Sequence, residues 1–269
     1  MRLGIIGYGN IGRTLVDLLA DRPVDALVLL VRSERVDQLR GALAECRAAA
    51  SVKVVGTAEE LIAAEPDLMV ECAGHSVATA AVPALLEASI DVILVSIGVF
   101  ADPATETRLR NAAEVGRAQL ILPAGAIGGI DILASLAAGG GVKVSYRGIK
   151  PPAAWAGTPA ETLLDLSALT NPAVFFKGSA REAAQTYPKN ANVAATLALA
   201  GAGFDATLVE LVADPGASGN IHSYSVESPL ARYSMTIENA ASAGNARTSV
   251  ATVYSVLREI NNRRSSVVI

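Results

Sequence analysis

Aromatic side chains are scarce: six Tyr, four Phe and one Trp make up 4% of 269 residues. Base-stacking platforms for nucleic acid are therefore missing. A surplus of positive charge is missing too, since 22 Lys and Arg against 26 Asp and Glu leave a formal net charge of −4. With a sequence pI near 5.3, no nucleic-acid partner is expected. The two cysteines, Cys46 and Cys72, form no ligand motif and cannot build a disulfide framework, and no metal site is expected. Long apolar runs are also absent. Mean hydropathy is high at +0.40, yet the longest suspicious stretch, Val92–Ala101, is about half of what a bilayer needs. No membrane partner is expected, and residues 1–6 run straight into a predicted strand, so no secretory leader is read and the expected address is the cytoplasm.

What is abundant is small and apolar. Hydrophobic residues reach 51%, mostly Ala, Val and Leu dispersed along the chain, and charged residues only 18%. That excludes disorder, and the length suits one large α/β unit or two modest domains. Strand-like runs at Leu3–Ile6, Ala26–Val31, Val52–Val55, Asp67–Cys72, Asp91–Ser96 and Gln119–Leu122 alternate with helical stretches. This rhythm predicts parallel βαβ units and, with right-handed crossovers, a doubly wound Rossmann-type α/β sheet over residues 1–123. The rhythm changes after Pro123. Helices are predicted around Asp131–Ala138, 161–169 and 179–203, and strands at Lys143–Arg147, Ala206–Val212, Ser223–Val226 and Ser234–Glu238. Residues 124–245 therefore read as a second α+β domain with an open, mostly antiparallel sheet. A last helix over about 246–262 is expected to return to the first domain.

The sharpest local pattern is Gly7-Tyr-Gly-Asn-Ile-Gly12, with a strand before it and a helix after it. In G-x-G-x-x-G the first glycine allows the tight turn, the second lets backbone approach a pyrophosphate, and the third packs helix on strand. Gly7, Gly9, Asn10, Ile11 and Gly12 are thus candidate contacts to NAD or NADP, with the helix N-terminus facing the phosphates. The ribose-selecting position lies roughly twenty residues beyond the last glycine. An acid there binds the 2′-hydroxyl of NAD, but this chain has Arg32 and Ser33, followed by Glu34. Arg32 and Ser33 can donate to a 2′-phosphate; the competing reading has Arg32 as a solvated strand-end charge and Glu34 in the acid's role.

Only two histidines are available as general bases near neutral pH. His222 falls in a turn-rich loop just before a strand, and His75 at the carboxyl end of a parallel strand. Chemistry alone does not choose between them. Cys72 follows a buried strand and reads as a core residue rather than a nucleophile.

Four separated segments resemble the L-aspartate dehydrogenase family: Phe176 to Ala198, Asp214-Pro215 with Asn220-Ile-His222, Leu122 to Gly129, and Lys150-Pro-Pro-Ala-Ala-Trp155. With the fingerprint, the resemblance runs over essentially the whole chain. It implies NAD(P)-dependent oxidation of L-aspartate to iminoaspartate, which hydrolyses to oxaloacetate and ammonia or feeds NAD biosynthesis. It also implies a homodimer, His222 as the active-site histidine, and Ala124 and Asn190 as further cofactor contacts. Asn190 would orient the nicotinamide end, while Asn192 or Lys189 faces substrate. For both asparagines the alternative is a helix cap; for Ala124 it is a tight interdomain turn. A dicarboxylate needs cationic or amide partners, for which Lys150 and Lys189 are candidates, unless they are solvated. An apolar face of the second sheet is the expected basis for oligomerisation. The rival readings are another amino-acid-pathway dehydrogenase, such as a homoserine dehydrogenase or dihydrodipicolinate reductase, and a non-catalytic dinucleotide sensor.

Overall fold

The structure is a computed structural model. It describes every residue except Lys189, Ala191, Ala240, Ala243, Gly244 and Ile269, and only the backbone of residues 241–242 and 245–248. The chain divides into two compact units, one of Met1–Val99, Pro103–Pro123 and Val253–Ile269, the other of Phe100–Asp102 and Ala124–Thr252.

In the first unit, strands β1 (Arg2–Ile6), β2 (Val24–Leu30), β3 (Ala49–Val55), β4 (Leu68–Glu71), β5 (Asp91–Leu94) and β6 (Leu120–Ile121) form a six-stranded sheet in the order β3-β2-β1-β4-β5-β6. Every pairing is parallel. Such a sheet is covered on both faces, which is why β4 is buried at all four positions instead of alternating. Helices α1 (Asn10–Leu19), α2 (Val36–Ala42), α3 (Ala58–Ile62), α4 (His75–Glu87) and α5 (Pro103–Gly116) make the crossovers. Helix α1 buries Gly12, Leu15, Val16 and Leu19, one stripe at helical spacing. The strand order reverses between β1 and β4, the switch point where ligands bind in open α/β sheets.

The second unit contains α6 (Ile130–Ala138), β7 (Lys143–Lys150), α7 (Ala160–Leu163), β8 (Ala173–Ser179), α8 (Ala180–Thr186), α9 (Asn192–Ala200), β9 (Leu208–Ala213), β10 (Asn220–Glu227), β11 (Arg232–Asn239), and the short antiparallel pair β12 (Ala241–Ser242) and β13 (Asn245–Ser249). Its main sheet has the order β11-β10-β7-β9-β8. Only the β7–β9 pairing is parallel, so the Rossmann-type sheet is followed by a mixed, mostly antiparallel one. One face is buried: Val144, Tyr146, Gly148 and Lys150 alternate inward along β7, and Asn220, His222, Tyr224 and Val226 along β10. The other face carries Ser145, Arg147, Ser223 and Ser225 on β7 and β10 and Ser234 and Thr236 on the edge strand β11, with the half-buried Ile149 and Ile221 at one end. It is hydroxyl-rich and charged, not the apolar surface expected.

Three sequence expectations are corrected here, and one strand is added. The helix over 161–169 is a single turn, because Asp165 accepts from the backbone N–H groups of Ser167 and Ala168 and turns the chain. The helix over 179–203 is broken, with Tyr187 at φ −125° and ψ 56° before Pro188, a position where proline disfavours helix. Strand β8 escapes alternation because its register shifts between Val174 and Phe176. The last helix, α10 (Val250–Asn262), starts late because residues 245–249 are paired in β13. Val253, Val256 and Ile260 of α10 join the core cluster that includes Leu3, Leu19 and Val24. Each such burial stabilises by roughly 1.5–3 kcal/mol.

Candidate active site

The fingerprint forms a backbone cradle. Gly7 has φ +98°, and a Cβ there would lie 2.9 Å from the Cα of Ala73. At Gly12 a Cβ would lie 2.2 Å from the Gly7 carbonyl oxygen. At Gly9 it would meet nothing within 4 Å, so the surface there is open. Gly9 precedes α1 without a side-chain cap, and the first turn carries no acid. The N–H groups of Asn10, Ile11 and Gly12 thus open the helix at the positive end of its dipole. Open space at the second glycine and tight packing at the other two are what a dinucleotide pyrophosphate requires, so these residues fit the cofactor.

A buried carboxylate supports this cradle. Glu71, at the end of β4, is fully buried and accepts through Oε1 from the N–H groups of Ala73 (2.7 Å) and Gly74 (2.9 Å) and the Ser96 hydroxyl (3.1 Å), and through Oε2 from the Ser96 N–H (3.1 Å). Burial raises its pKa against the lowering effect of these donors. It ties the ends of β4 and β5 together and fixes Ala73, on which Gly7 rests. The Cys72 thiol lies within 3.3 and 3.4 Å of the carbonyl oxygens of Ile6 and Gly7, and burial, with the Glu71 charge, pushes its pKa up. That is a protonated packing thiol rather than a nucleophile. His75 opens α4, and its Nε2 is buried without a partner among the described residues. Arg32 follows β2 with its side chain 84% exposed and 3.8 Å from Glu34. Ser33 begins a short 3-10 turn, its hydroxyl 3.5 Å from the Gly56 carbonyl oxygen.

In the second unit β7 and β10 bring a different set together. His222 is not in a loop before a strand, as its turn-rich neighbours suggested, but inside β10, opposite Gly148 of β7. It is 3% exposed, and its Nδ1 lies 2.7 Å from the Tyr146 hydroxyl. The missing side chain of Gly148 makes this contact possible: a Cβ there would lie 2.6 Å from the Tyr146 oxygen. Lys150 ends β7, which runs three residues beyond the strand expected at Lys143–Arg147. It is 3% exposed, its ammonium donates to Asn190 Oδ1 at 3.1 Å, and it lies 5.3 Å from the Trp155 ring centroid. Burial first, and the Lys150 charge second, lower the His222 pKa to about 3, so its ring is neutral near pH 7. Burial raises the Tyr146 pKa, keeping the phenol protonated.

Asn190 is buried, and its N–H donates to the Tyr187 carbonyl. Tyr187 packs against Trp155, Phe175 and Phe176, and the Trp155 indole donates to the Val212 carbonyl at 3.0 Å. Four of the chain's eleven aromatic residues thus cluster around Trp155, whose ring stands beside the Lys150 ammonium. Asn192 is the first residue of α9, and Lys189 lies outside the described residues. Ala124 follows β6 and begins a loop held from β10 and β11, where Tyr224 donates to the Gly128 carbonyl and Asn239 to that of Ala126. Lys150, Asn190 and His222 are therefore brought together, with Tyr146 and Trp155 as members sequence reasoning missed. A strand extended to Lys150 would have revealed them, because period two puts Tyr146, Gly148 and Lys150 on one face.

Residues 131–263 match the family model "Aspartate dehydrogenase, C-terminal", and residues 7–123 match "Homoserine dehydrogenase, NAD binding domain". The chain is 43% identical to an L-aspartate dehydrogenase of Cupriavidus taiwanensis over 99% of both chains. It belongs to the aspartate dehydrogenase family. An L-aspartate dehydrogenase of Ruegeria pomeroyi is also 43% identical, over 99% of this chain and 94% of that one. Among solved structures, an aspartate dehydrogenase from Thermotoga maritima superposes with a TM-score of 0.76 at 29% identity, covering 100% of this chain and 99% of that one. In this aspartate dehydrogenase family member the homoserine dehydrogenase family model matches only the nucleotide-binding segment, and the Lys150, Asn190 and His222 cluster falls in the segment that the aspartate dehydrogenase model matches. Among the described residues no group of His, Cys, Asp and Glu could hold a metal, and no helix is long and apolar enough to cross a membrane.

Proposed function

We propose that the protein is an NAD(P)-dependent L-aspartate dehydrogenase, oxidising L-aspartate to iminoaspartate, which water converts to oxaloacetate and ammonia. The observation that carries this reading is the buried cluster of Lys150, Asn190, His222 and Tyr146 on a fold shared with aspartate dehydrogenases. NAD or NADP, when bound, supplies the hydride acceptor; Gly7, Gly9, Asn10, Ile11 and Gly12 hold its phosphates, with Ala124 and Asn190 as further contacts.

Loss of hydride from Cα needs the amine lone pair, hence a neutral amine. His222 is the base that takes the amine proton or a proton from the hydrolytic water. For that, Nε2 must be bare and Nδ1–H must donate to the Tyr146 oxygen, as the 2.7 Å contact allows. Lys150 binds a substrate carboxylate. Burial is the larger cause of the depressed His222 pKa and the Lys150 charge the smaller, so a carboxylate paired with Lys150 moves the His222 pKa upward when substrate arrives. Asn192 and Lys189 are the further substrate candidates.

Purified protein with L-aspartate and NAD or NADP at alkaline pH should reduce the cofactor, read at 340 nm, with L-homoserine, L-glutamate and L-alanine inert. Cofactor binding without aspartate turnover would leave a dinucleotide sensor. Arg32 and Ser33 are proposed to favour NADP, their donors meeting the 2′-phosphate. Arg32→Ala should then weaken NADPH affinity about tenfold and leave NADH affinity unchanged; an unchanged NADPH affinity removes the assignment. The homodimer is also proposed, on the flat hydroxyl-rich face of the second sheet, and light scattering of the eluted protein tests it.

A further inference from the structure

Asn220 is a polar residue of the buried β7–β10 face that the mechanism above does not use. It begins β10, two residues before His222 and on the same face. The β7–β10 register pairs His222 with Gly148 and Ile221 with Ile149, and its continuation sets Asn220 across from Lys150. On its other side Asn220 pairs with Asn239. The two asparagines differ in one respect. The Asn239 amide is engaged at both ends, donating to the Ala126 carbonyl and accepting from Ser249 at 2.6 Å. Asn220 is only 7% exposed, yet its Oδ1 has no hydrogen-bond partner among the described residues. A buried acceptor left without a donor is unfavourable, and its persistence in a site points to a ligand that supplies the donor.

The substrate's chemistry decides which donor. L-aspartate at neutral pH carries two carboxylates, which only accept, and one amine, which donates. The cation of Lys150 suits a carboxylate, and an orphaned amide oxygen suits the amine. We propose that Asn220 is a substrate-binding residue that receives an N–H hydrogen bond from the α-amine on Oδ1. This rests on the reading of the chain as an aspartate dehydrogenase. It accounts for a neutral acceptor at this position: an amide oxygen holds the amine without raising its pKa as a carboxylate would, so the lone pair stays available for oxidation.

The test compares L-aspartate with succinate, the dicarboxylate lacking the amine. The probe is the intrinsic fluorescence of Trp155, the single tryptophan, whose ring lies 5.3 Å from the Lys150 ammonium. In the wild-type protein with NADH bound, both ligands should titrate the signal, and succinate should compete with aspartate in the assay. Asn220→Ala should weaken aspartate about tenfold or more while succinate changes less than about twofold. Asn220→Asp, an acceptor that keeps the strand position filled, should hold aspartate near wild-type affinity and weaken succinate through repulsion. Equal losses for both ligands, or no loss for either, in Asn220→Ala would overturn the assignment. If L-aspartate itself neither titrates the wild-type protein nor reduces its cofactor, it is the aspartate reading that fails, and Asn220 falls with it.

Discussion

The two units build their binding surfaces from different material. In the first, the cradle is backbone: glycines at 7, 9 and 12, the N–H groups of one helix, and a turn held by the buried Glu71. In the second, the cluster is side chain: Tyr146 and Lys150 from β7, His222 from β10 and Asn190 before α9. Backbone surfaces are specified by residues that lack side chains, so a substitution there acts by adding atoms. Side-chain surfaces are specified by functional groups and are broken by removing them.

The largest expected effect exploits the first half of that contrast. Gly9→Ala adds a methyl group that meets no protein atom within 4 Å, so the melting temperature should hold while dinucleotide affinity falls beyond about 10²-fold. Gly12→Ala drives the same methyl into the Gly7 carbonyl oxygen at 2.2 Å, so it should lower both affinity and stability, the latter by about 1–3 kcal/mol. Calorimetry and NADH titration on the two variants separate packing from binding. A stable Gly9→Ala protein with full NADH affinity would remove the cradle assignment.

In the second unit, His222→Ala should lower kcat by about 10²-fold with NADH affinity intact. A variant retaining most of its kcat would leave His222 a packing residue of β10. Tyr146→Phe keeps the ring and removes the oxygen 2.7 Å from Nδ1. It should lower kcat about tenfold, the scale of one lost hydrogen bond, with little change in aspartate KM. Should KM rise instead with kcat unchanged, Tyr146 would be acting on substrate placement and not through the imidazole.

This contrast explains what was legible in the sequence. Glycine spacing is local, and Gly7 to Gly12 with a strand before and a helix after announce their own geometry. The doubly wound sheet was legible for the same reason, each βαβ unit being contiguous. The pairing of Tyr146 with His222 spans 76 residues, and nothing local links them. The strand expected at Lys143–Arg147 stops short of Lys150 because two prolines follow it, although proline just past a strand end is compatible with the strand. His222 was misplaced because Asp214, Pro215, Gly216 and Gly219 make a turn whose end sequence alone does not mark. Glu71 is visible in the sequence only as an acid in an apolar run, and two of its four donors come from Ser96, 25 residues away.

The smallest expected effect is on stability, and it belongs to the second unit alone. His222 is held neutral in the folded protein, its pKa lowered to about 3 by burial and Lys150. The unfolded chain titrates this histidine near the ordinary 6.5, so between about pH 6.5 and 3 it binds a proton that the folded protein refuses. Stability should therefore fall as pH drops through that window, by at most about 1.4 kcal/mol per unit from this group. His222→Gln removes the titrating ring, so its unfolding free energy, from denaturant titrations at pH 7 and pH 5, should decline less than that of the wild-type protein. Equal declines would mean that the folded protein protonates His222 as readily as the unfolded chain. A base already charged at pH 5 would then have to lose its proton before it could act, and activity would show an acid limb near 6.5.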